Sequence, residues 1–119
     1  WFCNGGTPVA TTGKGLLLKV FVGETDRKGK IPMYEWLVKE AKSYGIAGAT
    51  VFRGLMGFGS HSTLHTAKIL DLSTNLPMVI EFMDTDEKIR GFLAVIEENV
   101  QDGMATLQEI EMHVYSSKK

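Results

Sequence analysis

The sequence predicts an α+β domain of βαββαβ order, an antiparallel four-stranded sheet with two helices on one face. Three observations lead there. Short apolar, β-rich runs alternate with stretches of helical period in the order strand–helix–strand, strand–helix–strand. The two halves are alike and are joined by one long connection. The 119 residues, 44% hydrophobic and 23% charged, have the composition of one ordinary globular domain. A chain of this length buries about two-thirds of its unfolded surface, so it needs neither disulfide nor metal to fold.

Leu16-Leu17-Leu18-Lys19-Val20-Phe21-Val22 is a buried strand stopped by Gly23. A polar loop, Gly23 to Lys30, precedes Pro32, which belongs in the first turn of a helix. Tyr34, Leu37, Val38 and Ala41 form that helix's apolar face, and Gly45 is its left-handed stop. Ala49-Thr50-Val51-Phe52 is the second strand, and Met78 to Met83, opened by Pro77, is the third. Asp84, with Glu87 three residues later, reads as an N-cap and capping box. Ile89, Phe92, Leu93 and Ile96 supply the second helix face. Asp102-Gly103 marks a turn. Thr106 to Tyr115 alternates as the last strand, with Ile110, Met112 and Val114 on one face and Glu109, Glu111, His113 and Tyr115 on the other. The order is that of a ferredoxin-like split βαβ fold.

Residues 1–15 hold four glycines, three threonines and no hydrophobic period, and are expected to be a flexible leader or a truncated start. The domain then spans 16–115, with 116–119 as a tail. Cys3, the single cysteine, excludes an internal disulfide and suits a reducing cytoplasm. No apolar run approaches the roughly 20 residues of a membrane-spanning helix. The net charge of −1 argues against a protein that coats nucleic acid. That balance hides a polarity: residues 1–68 carry nine bases and four acids, whereas residues 69–115 carry two bases and ten acids.

In this topology the first and third strands are central, yet Lys19 and Glu81 sit at their middles. Together with Glu109, Glu111 and His113, these charges are expected on the sheet face without helices, among Leu17, Phe21, Val79 and Met83. A face half polar and half apolar suits packing against copies of the chain.

The candidate site is the run from Phe52 to His65. Gly54, Gly57 and Gly59 either let a backbone approach a ligand closely or let a strand bend and twist. Arg53, His61, His65 and Lys68 offer positive or hydrogen-bonding groups, for which a phosphate-like anion is the natural guest. The spacing is neither a dinucleotide fingerprint nor a Walker loop. His61 and His65, four apart, would need a further ligand to hold a metal. No nucleophile, base and orienting acid assemble with recognisable spacing, so no enzyme is expected.

KVFVGETDRKGKIPMYEWLV (19–38), GATVFRGLMGFG (48–59), HTAKILDLSTNLPMVIEFMD (65–84) and DTDEKI (84–89) resemble the domain of unknown function 190 family, whose fold is like that of the nitrogen-regulatory PII signalling proteins. The resemblance runs from Leu16 to Tyr115, and Arg53 to Gly59 and Gly23 to Asp26 are its most specific parts. It implies a homotrimer with inward-facing sheets. It also implies that the connection between the second and third strands is equivalent to the PII T-loop, which contacts a partner under control of a nucleotide in the inter-subunit cleft. Where PII proteins place a lysine after the second helix, this chain has Met104, in the run Asn99-Val100-Gln101-Asp102-Gly103-Met104. Residues 59–76 contain no tyrosine of the kind PII proteins modify. With Glu109 and Glu111 nearby, these charges disfavour a triphosphate and favour AMP, ADP or another anion.

The resulting expectation is a non-enzymatic, cytoplasmic PII-like signalling trimer. Its small-molecule ligand would meet Lys30, Arg53, Gly54, Gly57, Phe58, Gly59, His61 and His65. It would report through residues 59–76 to a target protein such as a membrane transporter. The alternative is a metal or anion sensor of the same trimeric fold, using His61, His65 and His113.

Overall fold

The computed structural model describes residues 9–59, 65–66 and 75–116. The chain runs β1 (Val9–Gly23), β2 (Arg27–Lys28), β3 (Ile31–Pro32), α1 (Met33–Tyr44), β4 (Gly48–Arg53), β5 (Met56–Gly57), β6 (His65–Thr66), β7 (Pro77–Asp84), α2 (Asp86–Asn99) and β8 (Met104–Ser116). The main sheet has the order β4-β7-β1-β8 with every pair antiparallel, so β1 and β7 are the central strands, as expected. β2–β3 and β5–β6 are separate two-stranded ribbons.

Period-2 alternation places one side of each central strand in the core: Leu16, Leu18, Val20 and Val22 from β1 with Met78, Ile80 and Phe82 from β7. Over them lie Met33, Leu37 and Ala41 of α1 and Ile89, Phe92 and Ile96 of α2. Phe82 and Phe92 meet edge to face with centroids 5.1 Å apart, joining α2 to the sheet. Both are fully buried, a contribution of about 1.5–3 kcal/mol each from removal of apolar surface alone. α1 ends as predicted, at Gly45 with φ 94°, whose N–H donates to the carbonyls of Ala41 and Lys42. Pro32 takes the N-cap position, one residue ahead of the first turn.

The α2 cap differs from expectation. Thr85 is the N-cap, its hydroxyl accepting from the Lys88 N–H at 3.4 Å. Asp84 instead ends β7, buried, and its carboxylate accepts from Ala47 N at 2.9 Å and Thr85 N at 2.6 Å. It thereby ties the α1–β4 link to the start of α2. The polar loop expected from Gly23 to Lys30 contains half of the β2–β3 ribbon, turned at Gly29 with φ 63°.

Two further differences concern β1 and β8. β1 begins at Val9, so Val9–Gly15, read from sequence as leader, is strand paired with Ile110–Ser116. Its lack of a hydrophobic period reflects its position: here β1 and β8 alone continue, and Thr12 to Lys14 are exposed. Residues 1–8, including Cys3, and 117–119 lie outside the described residues. The register also corrects the faces of β8. Glu109 pairs with Leu16, a core-facing residue, so Glu109, Glu111 and His113 lie on the helix side rather than on the open face. They remain exposed. Ile110 and Met112, opposite Gly15 and Gly13, share the open face; a Cβ on Gly15 would lie 2.4 Å from the Met112 sulfur.

The open face is banded. Phe52, Val79, Phe21 and Met104 form an apolar row across the four strands. Thr50, Glu81, Lys19 and Thr106 form the next, polar, row, with Lys19 Nζ 3.7 Å from Glu81 Oε2. Met83 and Leu17, flanked by Gly48 and Gln108, form a third.

Asp84→Ala removes the acceptor of two backbone N–H groups. Urea unfolding is expected to show a loss of about 1–3 kcal/mol with an unchanged slope.

Candidate functional site

The proline that opens β7 organises the site. Pro77 has no N–H to donate, which suits the first residue of a strand. Its carbonyl accepts from Gly54 N at 2.7 Å. A Cβ on Gly54 or Gly57 would lie 2.7 or 3.0 Å from Pro77 Cγ. These two glycines therefore serve close packing of the chain after β4 onto Pro77. Gly59 has nothing within 4 Å of the position a Cβ would take.

On the other side of β7, Gly23 is the register partner of Pro77. Here the chain turns, with Gly23 N donating to Asp26 Oδ2 at 2.9 Å and Asp26 N to Gly23 O at 3.1 Å. The turn is fastened to the residues before Pro77: Glu24 N donates to Leu76 O at 2.8 Å and Thr25 N to Asn75 Oδ1 at 2.9 Å. The chain before and after the 59–76 connection thus meets at one proline: Gly54 and Gly57 pack on Pro77, and Asn75 and Leu76 are bonded to the β1 turn.

The two anchors are joined by an ion pair. Arg53 Nε donates to Glu24 Oε2 at 2.8 Å and Nη2 donates to Oε1 at 3.2 Å, a two-point clasp of the carboxylate. The Arg53 side chain is 52% exposed and that of Glu24 25%. The hydrogen bond from Arg53 is the main reason the Glu24 carboxyl lies below its ordinary range; partial burial opposes it, and the Arg53 charge adds to it. The same hydrogen bond raises Arg53. The two most specific sequence runs, Gly23–Asp26 and Arg53–Gly59, accordingly touch, although 29 positions separate the paired residues.

The remaining candidates are placed as follows. Phe58 is 71% exposed, with Leu55 and Met56 exposed beside it. Lys30 lies exposed in the β2–β3 turn, where its carbonyl accepts from Arg27 Nη2. The His65 backbone pairs with Gly57 in the β5–β6 ribbon. His61 and Lys68 lie outside the described residues. His113 is engaged with Glu111 Oε2 at 2.6 Å and Thr12 Oγ1 at 3.1 Å. Among the described residues no three His, Cys, Asp or Glu side chains gather as metal ligands. Asn99 at the end of α2 and Gln101 and Asp102 just after it line an open cleft of about 350 Å³ shared with Arg27 and Lys28. The sequence reading did not single out Glu24, Asn75 or Pro77 as site residues. No local pattern links them to Arg53; only the strand register does.

Residues 15–112 match the model of the DUF190 family, "Uncharacterized ACR, COG1993". A UPF0166 protein of Aquifex aeolicus is 36% identical over 99 residues, covering 83% of this chain and 93% of that protein. Among solved structures, CPII of Thiomonas intermedia K12, bound to ADP and bicarbonate, superposes with a TM-score of 0.64 at 15% identity, covering 86% of this chain and 91% of that one. The Bacillus subtilis GlnK–ATP complex superposes at 0.53 with 10% identity over 82% of each chain. At these identities the likeness is one of fold.

Because its folded carboxyl is held low, Glu24 stabilises the native state above the ordinary carboxylate range. That stability is lost as pH falls through the folded value. The melting temperature of the native chain should exceed that of Glu24→Gln at neutral pH. The gap should close as pH falls below the ordinary value of 4.5.

Proposed function

This chain belongs to the DUF190 family and has a PII-like, ferredoxin-type fold; from that premise we propose that it is a non-enzymatic PII-like signalling protein. It binds a small anionic ligand, an adenine nucleotide such as AMP or ADP, at clefts between the subunits of a homotrimer. It signals through residues 59–76 to a target protein, a membrane transporter being one candidate, in the cytoplasm. The observation that carries the reading is the two-point Arg53–Glu24 clasp, which puts an exposed guanidinium at the root of the 59–76 connection. A ligand phosphate bound by Arg53 acts where both ends of that connection are anchored. Such a ligand favours one arrangement of the connection only as far as it binds that arrangement more tightly.

Two further observations support the reading. CPII, of the same fold, was crystallised with ADP, AMP and bicarbonate. The banded open face, with exposed Phe52 and Met104 flanking a charged row, is the surface that copies of the chain would cover. Pairing of Lys19 with Glu81 lets the polar row enter such an interface without an uncompensated charge.

Titration calorimetry with AMP, ADP, ATP and cyclic AMP tests the ligand. ADP or AMP is expected to bind, and Arg53→Ala to weaken binding about tenfold or more. No heat from any of the four removes the nucleotide reading; unchanged affinity in Arg53→Ala moves the site elsewhere. Sedimentation should show a trimer, and Phe21→Glu should yield monomers with native circular dichroism. A monomeric parent chain would exclude the inter-subunit cleft.

A further inference from the structure

The clasp that identifies Arg53 also means that Arg53 already holds an anion. We infer that Glu24 is the resident occupant of the Arg53 site and acts as its specificity gate, admitting phosphate groups and turning away single carboxylates and similar monoanions. The inference rests on the reading that Arg53 receives the ligand anion and names what that site selects.

The argument is one of exchange. A carboxylate entering from solution offers Arg53 two oxygens and one negative charge, which Glu24 already supplies through Oε2 on Nε and Oε1 on Nη2. Glu24 is held in place by its own backbone: Glu24 N is bonded to Leu76 O, and the turn around it is closed by Asp26. Its effective concentration at Arg53 is therefore about millimolar or higher, which a like-for-like competitor must exceed before it gains anything. A phosphate monoester or diphosphate brings a second negative charge and a third oxygen to a guanidinium that is half exposed and can be approached from solvent. Only a ligand with that surplus outcompetes the internal partner.

The gate also has a mechanical consequence. The turn that carries Glu24 is bonded to Asn75 and Leu76, the far end of the 59–76 connection, whereas Arg53 ends β4, which leads into the near end. When a phosphate takes Glu24's place, the end of β4 and the turn after β1 lose the ion pair between them, while the backbone bonds Gly54 N to Pro77 O and Glu24 N to Leu76 O remain. Selection of the anion and loss of that ion pair are one event.

The test compares the native chain, Glu24→Gln, Glu24→Ala and Arg53→Ala by calorimetry with ADP, with and without acetate at constant ionic strength. Pyrophosphate serves as a second probe. Removing the gate should tighten ADP binding roughly three- to tenfold, the range set by a partly exposed ion pair with good geometry. It should also make ADP binding sensitive to acetate, to which the native chain is indifferent. Equal or weaker ADP binding in both Glu24 variants, or acetate sensitivity equal to that of the native chain, overturns the gate. If that result comes with a loss of binding in Arg53→Ala, the reading of the Arg53 site survives and only the gate falls. If Arg53→Ala binds ADP normally, the site assignment falls first. Pyrophosphate should bind the native chain and bind the Glu24 variants more tightly; binding by the Glu24 variants alone, or by none of the four chains, overturns the gate.

Discussion

β1 and β7 meet in a single register, and both faces of the sheet and the root of the 59–76 connection follow from it. With Lys19 opposite Glu81, the apolar residues Leu16, Leu18, Val20 and Val22 fall on the same side as Met78, Ile80 and Phe82, under the helices. A slip of one residue by either strand would turn its charged residue inward and its apolar residues outward. The same register sets Gly23 opposite Pro77 on one side of β7, while β4 sets Arg53 opposite Met78 on the other. The Glu24–Arg53 clasp therefore spans the head of β7. It exists because two neighbouring strands both end beside that head.

Pro77 converts that geometry into a sequence requirement. Its ring lies where the Cβ atoms of Gly54 and Gly57 would be, and its carbonyl holds the Gly54 N–H. Larger residues at either glycine would push the chain away from β7 and carry Arg53 with it. The glycine-rich look of this stretch, suggestive of a backbone cradle for phosphate, is at these two positions a consequence of packing against a proline. Leu55, Met56, Phe58 and the Arg53 guanidinium face solvent here, and Arg53 is the charged group among them.

Much of the fold was legible because its signals are local and periodic. The faces of α1 and α2, the Gly45 stop and the central placement of β1 and β7 all follow from spacing and element order. What the sequence obscured has one cause in each case. Val9–Gly15 lacks a period because it pairs with β8 beyond β7, where Thr12 to Lys14 are exposed, and a missing core face reads as missing structure. Asp84 looked like a cap because it precedes a helix, but Thr85 is the cap, and the buried Asp84 carboxylate holds the Ala47 and Thr85 N–H groups from the end of the strand. The side of the sheet to which β8 turns its acids could not be read from alternation, which fixes that two faces differ and leaves open which is which. The site was half legible: Arg53 and the glycine run stand out as residues, while Glu24 joins them only through pairing distant in sequence.

The uneven charge along the chain is a weaker guide to the site than this pairing. Of the ten acids between residues 69 and 115, Glu81 faces Lys19, Asp86 faces Arg90, Glu111 faces His113 and Asp84 accepts backbone N–H groups. Charges at exposed positions are screened over about 8 Å at physiological ionic strength, so the acidic half casts no long field over the head of β7. What an incoming anion meets is local: a guanidinium already neutralised by one carboxylate on a fastened turn. The affinity of such a site depends less on attraction from afar than on the difference between what the ligand offers Arg53 and what Glu24 already gives. A neutral resident pair is thus compatible with anion binding, and it makes the site selective in a way that a bare arginine would not be.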